Sequence, residues 1–312
     1  MKIIFLCAIN NIGVDNNKYT YNVKVVSDES NSEKPFIRIT NNRVYIEKYL
    51  TQKFKEQIGE LEFNHLSTTA PLIAYSEHEV EDITPEEYLE KLLSLLKIYL
   101  YSLWTIKDNA GDFDLGFVRY NKQGIDFALS NCFTNSFCNC NCSTDIVNFT
   151  REELVAATQI FKAPFSPQSC QVANSLQYGR IAIANYFIQH ARSCFDYGLK
   201  IVGYCSALEA LFSNDSSELT HKLGERISKY LYADINDRAE CYKTIKKIYS
   251  FRSKVVHGDR MKDDKVNEIK IMIPKIDNIC RIIINKCMRQ DENIFELSPN
   301  DLEEYFLKML ME

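Results

Sequence analysis

The pattern of apolar and polar positions changes character along the chain. Up to about residue 80 the apolar positions come in short runs, Ile3–Ile9, Tyr19–Val26, Phe36–Ile39 and Val44–Ile46. Clusters of Asn, Asp and Ser, such as Gly13–Asn17 and Ser27–Glu33, part them. Short β-prone runs bounded by turn-forming residues predict strands. Thr84-Pro85-Glu86-Glu87 then offers an N-cap, a proline at the first helical position and a capping-box glutamate. The helix it opens is predicted to reach about Thr105. Leu89, Leu92, Leu93, Leu96, Tyr99, Leu100 and Leu103 make it apolar nearly all round, as expected of a helix buried against strands. Residues 106–149 return to loop and short-strand character.

From Thr150 onward the period is helical. Thr150-x-x-Glu153 is a second capping box. Helices are predicted over 151–162, 174–196, 199–213, 217–232, 237–257, 264–289 and 299–311. Pro164, Pro167, Asn214-Asp215, Asp234, Gly258-Asp259 and Ser298-Pro299 punctuate them. Short connections between long amphipathic helices favour an antiparallel bundle. The expected fold class is therefore α+β. A mixed N-terminal domain over 1–149, with a sensing, regulatory or substrate-positioning role, precedes an all-α domain over 150–312.

Composition narrows the function classes. With 46% hydrophobic and 25% charged residues, and only 10 Gly and 7 Pro in 312, collagen-like and low-complexity architectures are excluded. A net charge of −5 argues against a general polycation that coats nucleic acid. The charge is unevenly spread, however. Between 240 and 290 thirteen basic residues face six acidic ones, a local excess of seven, and the rest of the chain carries about −12. Such a stretch is either a solvated bundle face or a phosphate-binding surface. The eleven cysteines are odd in number and mostly single among apolar residues, which points to a reducing cytoplasm. The apolar run after Met1-Lys2 ends in Asn10-Asn11 with no small-residue cleavage site, so it reads as a first strand and not as an export leader. No apolar run approaches the ~18–20 residues that span a bilayer. The expectation is a cytoplasmic protein.

The candidate chemistry lies in Tyr249-Ser250-Phe251-Arg252-Ser253-Lys254-Val255-Val256-His257-Gly258-Asp259. Arg252 and His257 are five apart at the end of a predicted helix, and Gly258 stands where a C′ stop belongs. At about 100° per residue the two side chains point some 140° apart, so they do not stack as an i,i+4 pair. A site that uses both is better completed by a second copy across a symmetric interface, which predicts a dimer. His257 has a ring able to give or take a proton near neutral pH. Arg252 is always charged and forked, which suits a phosphate and its developing negative charge. Lys254 could steer the backbone of a nucleic acid. Taken alone the spacing is short and common, and an ordinary stabilising helix end explains it as well.

The stretch from about 170 to 290, some 40% of the chain, resembles a HEPN domain, specifically the Apea-like group of bacterial defence proteins. The resemblance rests on Arg252-Ser-Lys-Val-Val-His257, on Ser206-Ala-Leu-Glu-Ala-Leu-Phe-Ser213 and on Glu218-Leu-Thr-His-Lys-Leu-Gly-Glu-Arg-Ile-Ser228. It implies a helical bundle that dimerises, so that two Arg-x4-His motifs share one cleft. It also implies a metal-independent endoribonuclease acting as a toxin or effector in anti-phage abortive infection, with Arg252 and His257 as the catalytic pair. Cleavage would proceed by attack of the RNA 2′-hydroxyl on the adjacent phosphate. Partners implied are an RNA substrate, a second copy, and an antitoxin or phage-derived trigger, without cofactor or metal. Ser253 departs from the Asn or Asp often found after the arginine. Ser253, Lys254, Asp259 and Glu209 are supporting residues at most. The alternative is a catalytically inactive module of the same fold that binds RNA, nucleotide or a partner protein.

Two further features carry less. In Cys132-x5-Cys138-x-Cys140-x-Cys142 the Cys-x-Cys spacing departs from the paired Cys-x2–4-Cys of structural zinc sites and no histidine lies nearby in sequence, so a flexible Asn/Cys loop is favoured over a metal site. His190 and His221 fall on predicted amphipathic helices and read as half-buried structural residues.

Overall fold

A computed structural model of the chain describes residues 1–15, 20–26, 35–132, 136–159, 179–214, 219–289 and 294–311. The first run of alternating apolar residues becomes β1 (Lys2–Ile9), followed by β2 (Ile12–Val14), β3 (Asn22–Val26) and β4 (Phe36–Thr40). Tyr19 and the loop 27–33 lie outside the described residues. After the short helices α1 (Gln52–Ile58) and α2 (Glu60–Asn64) the chain forms β5 (Leu72–Glu79), the long helix α3 (Pro85–Ile106), the hairpin β6 (Gly116–Lys122) and β7 (Ile125–Ser130), then β8 (Val147–Phe149) and α4 (Arg151–Gln159).

Six strands form one sheet in the order β3-β4-β5-β1-β6-β7, antiparallel at every pairing. The strand β1 is central because it is the most apolar run. Its period of two sends Ile3, Phe5, Cys7 and Ile9 to one face and Leu6 and Ala8 to the other. On the first face lies α3, whose Leu89, Leu92, Leu96, Tyr99 and Leu103 join that core, as its all-round apolar pattern predicts. Its start is the expected capping box, with Thr84 and Glu87 exchanging side-chain-to-backbone hydrogen bonds. The second face is covered by Ile46, Tyr49, Phe54 and Leu66.

Two strand assignments need correction. Val44–Ile46 is not a strand: Asn42 accepts a hydrogen bond from the Val44 amide and winds 43–49 into 3-10 turns. The strand β5, which pairs with β1 along its whole length from Lys2↔Glu79 to Ile9↔Leu72, has no counterpart in the sequence reading. Its second half, Ser76-Glu77-His78-Glu79, is polar and hides the apolar start.

The helices that follow are α5 (Arg180–Ser193), α6 (Tyr197–Phe212), α7 (Leu219–Leu231), α8 (Ile235–Val256), α9 (Asp263–Arg289) and α10 (Pro299–Met311). Each predicted helix has its observed counterpart, although 160–178, with Pro164 and Pro167, and the starts of two predicted helices, at 174–178 and at 217–218, lie outside the described residues. Small residues set the close approaches: a Cβ on Gly203 would meet Ala191 Cβ at 2.9 Å, so α5 and α6 pack nearly backbone to backbone. Polar groups fix the pairing. The Tyr204 hydroxyl donates to Asp277 at 2.7 Å, and Asp277, wholly buried, also accepts from Arg281 Nε at 2.8 Å. Phe212, Tyr230 and Phe295 meet edge to face, and Phe306 of α10 stacks on Phe212.

The chain divides into two compact units, one of Met1–Phe137 with Thr144–Pro167 and one of Cys138–Ser143 with Gln168–Glu312. The helix α4 thus belongs with the sheet, where Leu154 and Ala157 join the α3 core. The short loop 138–143 belongs with the later helices. Among the described residues no helix is long and apolar enough to cross a membrane.

Candidate active site

The end of α8 is built as its sequence predicts. Gly258 takes φ +74°, the left-handed conformation open to glycine. The amide of Asp259 donates to Lys254 O at 2.9 Å and that of Gly258 to Val255 O at 3.1 Å, the paired bonds of a Schellman stop. His257 is therefore the C-cap residue, its own amide bonded to Ser253 O at 3.0 Å. This stop presents the imidazole outward. His257 is exposed, and among the described residues its ring makes no hydrogen bond or ion pair.

Arg252, one and a half turns earlier, faces the other way. Its Nη2 lies 3.3 Å from Oε1 and 3.4 Å from Oε2 of Glu209 on α6, and only the Oε2 contact has hydrogen-bond alignment. The pair is under one-third exposed on both sides. Glu209 Oε1 and Arg252 Nε are buried and lack a hydrogen-bond partner. Burial raises the Glu209 carboxyl above its ordinary value, while Arg252 and then the Tyr249 hydroxyl pull it back. Glu209 is thus the carboxylate that contacts Arg252.

The neighbouring residues set the register. Tyr249, buried one turn before Arg252, donates its hydroxyl to Cys205 O at 3.0 Å and ties α8 to α6. Gly198 at the start of α6 admits Val255, whose methyl carbons would stand 3.2 and 3.3 Å from a Cβ there. Neither contact was legible in the sequence, since no local signal pairs residues so far apart. Ser253 and Asp259 are exposed and Lys254 is half-buried, and none of these side chains joins Arg252 or His257. No contact joins Arg252 and His257 themselves, in keeping with their divergent angles.

The residues of the basic stretch fare differently. Lys247, Lys265, Lys275 and Arg281 are neutralised by Glu268, Glu240 and Asp277. Lys243, Lys254, Arg260 and Lys262 make no ion pair among the described residues, and the last three flank the His257 turn. Beside these three cations stand the exposed carboxylates Asp259, Asp263 and Asp264, so charge of both signs lines the His257 turn.

The histidines elsewhere require correction. His190 and His221 are exposed, not half-buried; His221 approaches the Tyr242 hydroxyl at 3.0 Å and Glu225 at 3.4 Å. The cysteine loop also has a histidine within its reach after all, brought by α5: His190 Nδ1 lies 3.5 Å from Cys194 Sγ, and Cys194 O lies 3.0 Å from Cys138 Sγ. Comparison with protein-family models, with curated proteins and with solved structures returned no match for this chain.

Proposed function

We propose that the protein is a metal-independent endoribonuclease of the HEPN type, working as a toxin or effector in anti-phage abortive infection. The observation that supports the reading is the exposed, unpartnered imidazole of His257 at a Schellman stop, five residues after the Arg252 guanidinium. An exposed ring with both nitrogens free can take a proton from a hydroxyl beside a phosphodiester.

In the proposed reaction the 2′-oxygen of RNA loses its proton to His257 and bonds to the adjacent phosphorus. The bond from phosphorus to the 5′-oxygen breaks, and that oxygen takes up a proton. The products are a 2′,3′-cyclic phosphate and a 5′-hydroxyl. Arg252 has donors left beyond the one given to Glu209, and these balance charge on the phosphorane. Because Arg252 and His257 diverge on one helix, a second copy that brings its own motif into the same cleft completes the site.

A second reading, a non-catalytic module that binds RNA, nucleotide or a protein, is favoured by the engagement of Arg252 with Glu209. Incubation of the full-length protein with total RNA in EDTA separates the two. Cleavage that is lost in Arg252→Ala and His257→Ala, with folding intact by circular dichroism, supports the nuclease. Retarded RNA without new 5′-hydroxyl ends supports the binding module. Equal cleavage of DNA, or a requirement for added divalent metal, overturns the mechanism.

A further inference from the structure

Away from the motif, the second unit gathers four metal-ligating side chains that no continuous sequence stretch contains. The loop Cys138–Ser143 is folded around Asn139. The Asn139 side-chain oxygen accepts from the amides of Asn141 at 2.9 Å and Ser143 at 3.1 Å, and its amide nitrogen donates to Ser143 Oγ at 2.8 Å. Its backbone pairs with Ser143 O at 2.9 Å and with the Cys142 amide at 3.0 Å. This tight turn, with Cys142 at φ +55°, carries Cys142 back to the Cys138 thiol. The loop docks on the last turn of α5, where the Cys138 amide donates to Arg192 O at 2.9 Å. That end presents His190 and Cys194 with their ligand atoms 3.5 Å apart.

The arrangement has the chemistry of a zinc site. Cys-x3-Cys on a turn and His-x3-Cys at a helix C-terminus match the spacing of structural Cys/His zinc sites. A separation near 3.5 Å is the N···S edge of a tetrahedron with Zn–S of about 2.3 Å and Zn–N of about 2.0–2.1 Å.

Lys200 supplies an independent observation. It is entirely buried on α6, and its ammonium donates to Cys138 O at 3.3 Å and Ala191 O at 3.1 Å. It forms no ion pair among the described residues. An ammonium buried without a counter-charge is costly. Three thiolates and one imidazole around Zn2+ carry a net charge of −1, the counter-charge this lysine lacks.

We propose that Cys138, Cys142, His190 and Cys194 bind one structural Zn2+, which anchors the 138–143 loop to the end of α5 beside Lys200. No three of the four ligand atoms lie mutually within 4.8 Å, so binding includes side-chain rotation that closes the set. Each cysteine gives its proton to solvent as its sulfur bonds to the metal, so uptake of one Zn2+ releases up to three protons. The site is structural and separate from Arg252 and His257, so it stands whether or not the protein cleaves RNA.

The test uses the full-length protein, purified under reducing conditions with Zn2+ supplied, then desalted and assayed for metal by mass spectrometry. A parallel titration with Co2+ is read by its visible spectrum, and proton release by a pH indicator. One equivalent of retained Zn2+, an intense tetrahedral thiolate–Co2+ spectrum and release of protons are expected. His190→Ala, a change at an exposed position that leaves the fold intact, and Cys142→Ser should each weaken binding by at least the roughly 10–100-fold that loss of an outer-shell partner costs. Cys132→Ser, outside the set, should leave it unchanged. Absence of retained metal together with a weak octahedral Co2+ spectrum overturns the proposal. So does binding that survives both His190→Ala and Cys142→Ser, or a Cys138–Cys142 disulfide in the protein that carries no metal.

Discussion

Glu209 Oε1 stands 3.3 Å from Arg252 Nη2, so the arginine of the Arg-x4-His string is held by the neighbouring helix while His257, five residues on, faces solvent without a partner. One helix end thus carries a clamped cation and a free imidazole. In the proposed reaction a phosphate would have to compete with Glu209 for Arg252.

That competition has a signed pH consequence. The folded-state carboxyl of Glu209 is raised above its ordinary value of 4.5, chiefly by burial. Between 4.5 and the raised value the folded protein holds the proton longer than the unfolded chain, so stability falls as pH rises through that window. Glu209→Gln has no such proton. The stability advantage of wild type over Glu209→Gln, from urea denaturation, should therefore be larger at pH 4.5 than at pH 7. An advantage that grows with pH contradicts the assignment.

Glu77 gives the opposite sign in the first unit. Lys2 at 2.6 Å, the Tyr49 hydroxyl at 2.5 Å and Lys48 at 3.0 Å hold its carboxyl down to about 2. Its contribution is present in full above 4.5 and is lost as pH falls towards 2. Glu77→Gln should lower the thermal midpoint at pH 6, and the gap to wild type should close on acidification.

Gly258 is replaceable only at a cost in backbone strain. A Cβ there meets nothing within 4 Å, but φ is +74°. Gly258→Ala should destabilise by about 1–2 kcal/mol through strain alone. Because the Schellman stop orients His257, the proposed RNA cleavage should fall more than stability does. Gly258→Asn, better suited to the left-handed region, should recover part of both.

Asp277 tests the cross-link inside the helical unit. Its removal leaves Arg281, only 15% exposed, without its carboxylate, and Tyr204 without its acceptor. Asp277→Ala should cost about 3–5 kcal/mol in chemical denaturation, and Tyr204→Phe only about 1 kcal/mol.

The zinc ligands show how site and sequence diverge. Along the chain Cys138 and Cys142 have no histidine for company, and the cluster reads as a loop. His190 and Cys194 arrive from a helix some fifty residues later, placed by the Cys138 amide bonded to Arg192 O.

Features that act within four or five residues could be read directly. The capping boxes at Thr84 and Thr150, the all-round apolar α3, the helices from 180 to 311 and the glycine stop at Gly258 all depend on local hydrogen bonds and helical period. The α+β order of a sheet followed by helices was legible for the same reason. What joins distant residues was not. The central place of β1 depends on pairing with β5, whose polar second half masks it, and 43–49 turned on one Asn42 side chain. The hold of Glu209 on Arg252 spans 43 residues, and that of Tyr204 on Asp277 spans 73. Such contacts carry no periodic signature, because their partners are chosen by which faces the core leaves adjacent once apolar burial has fixed the packing.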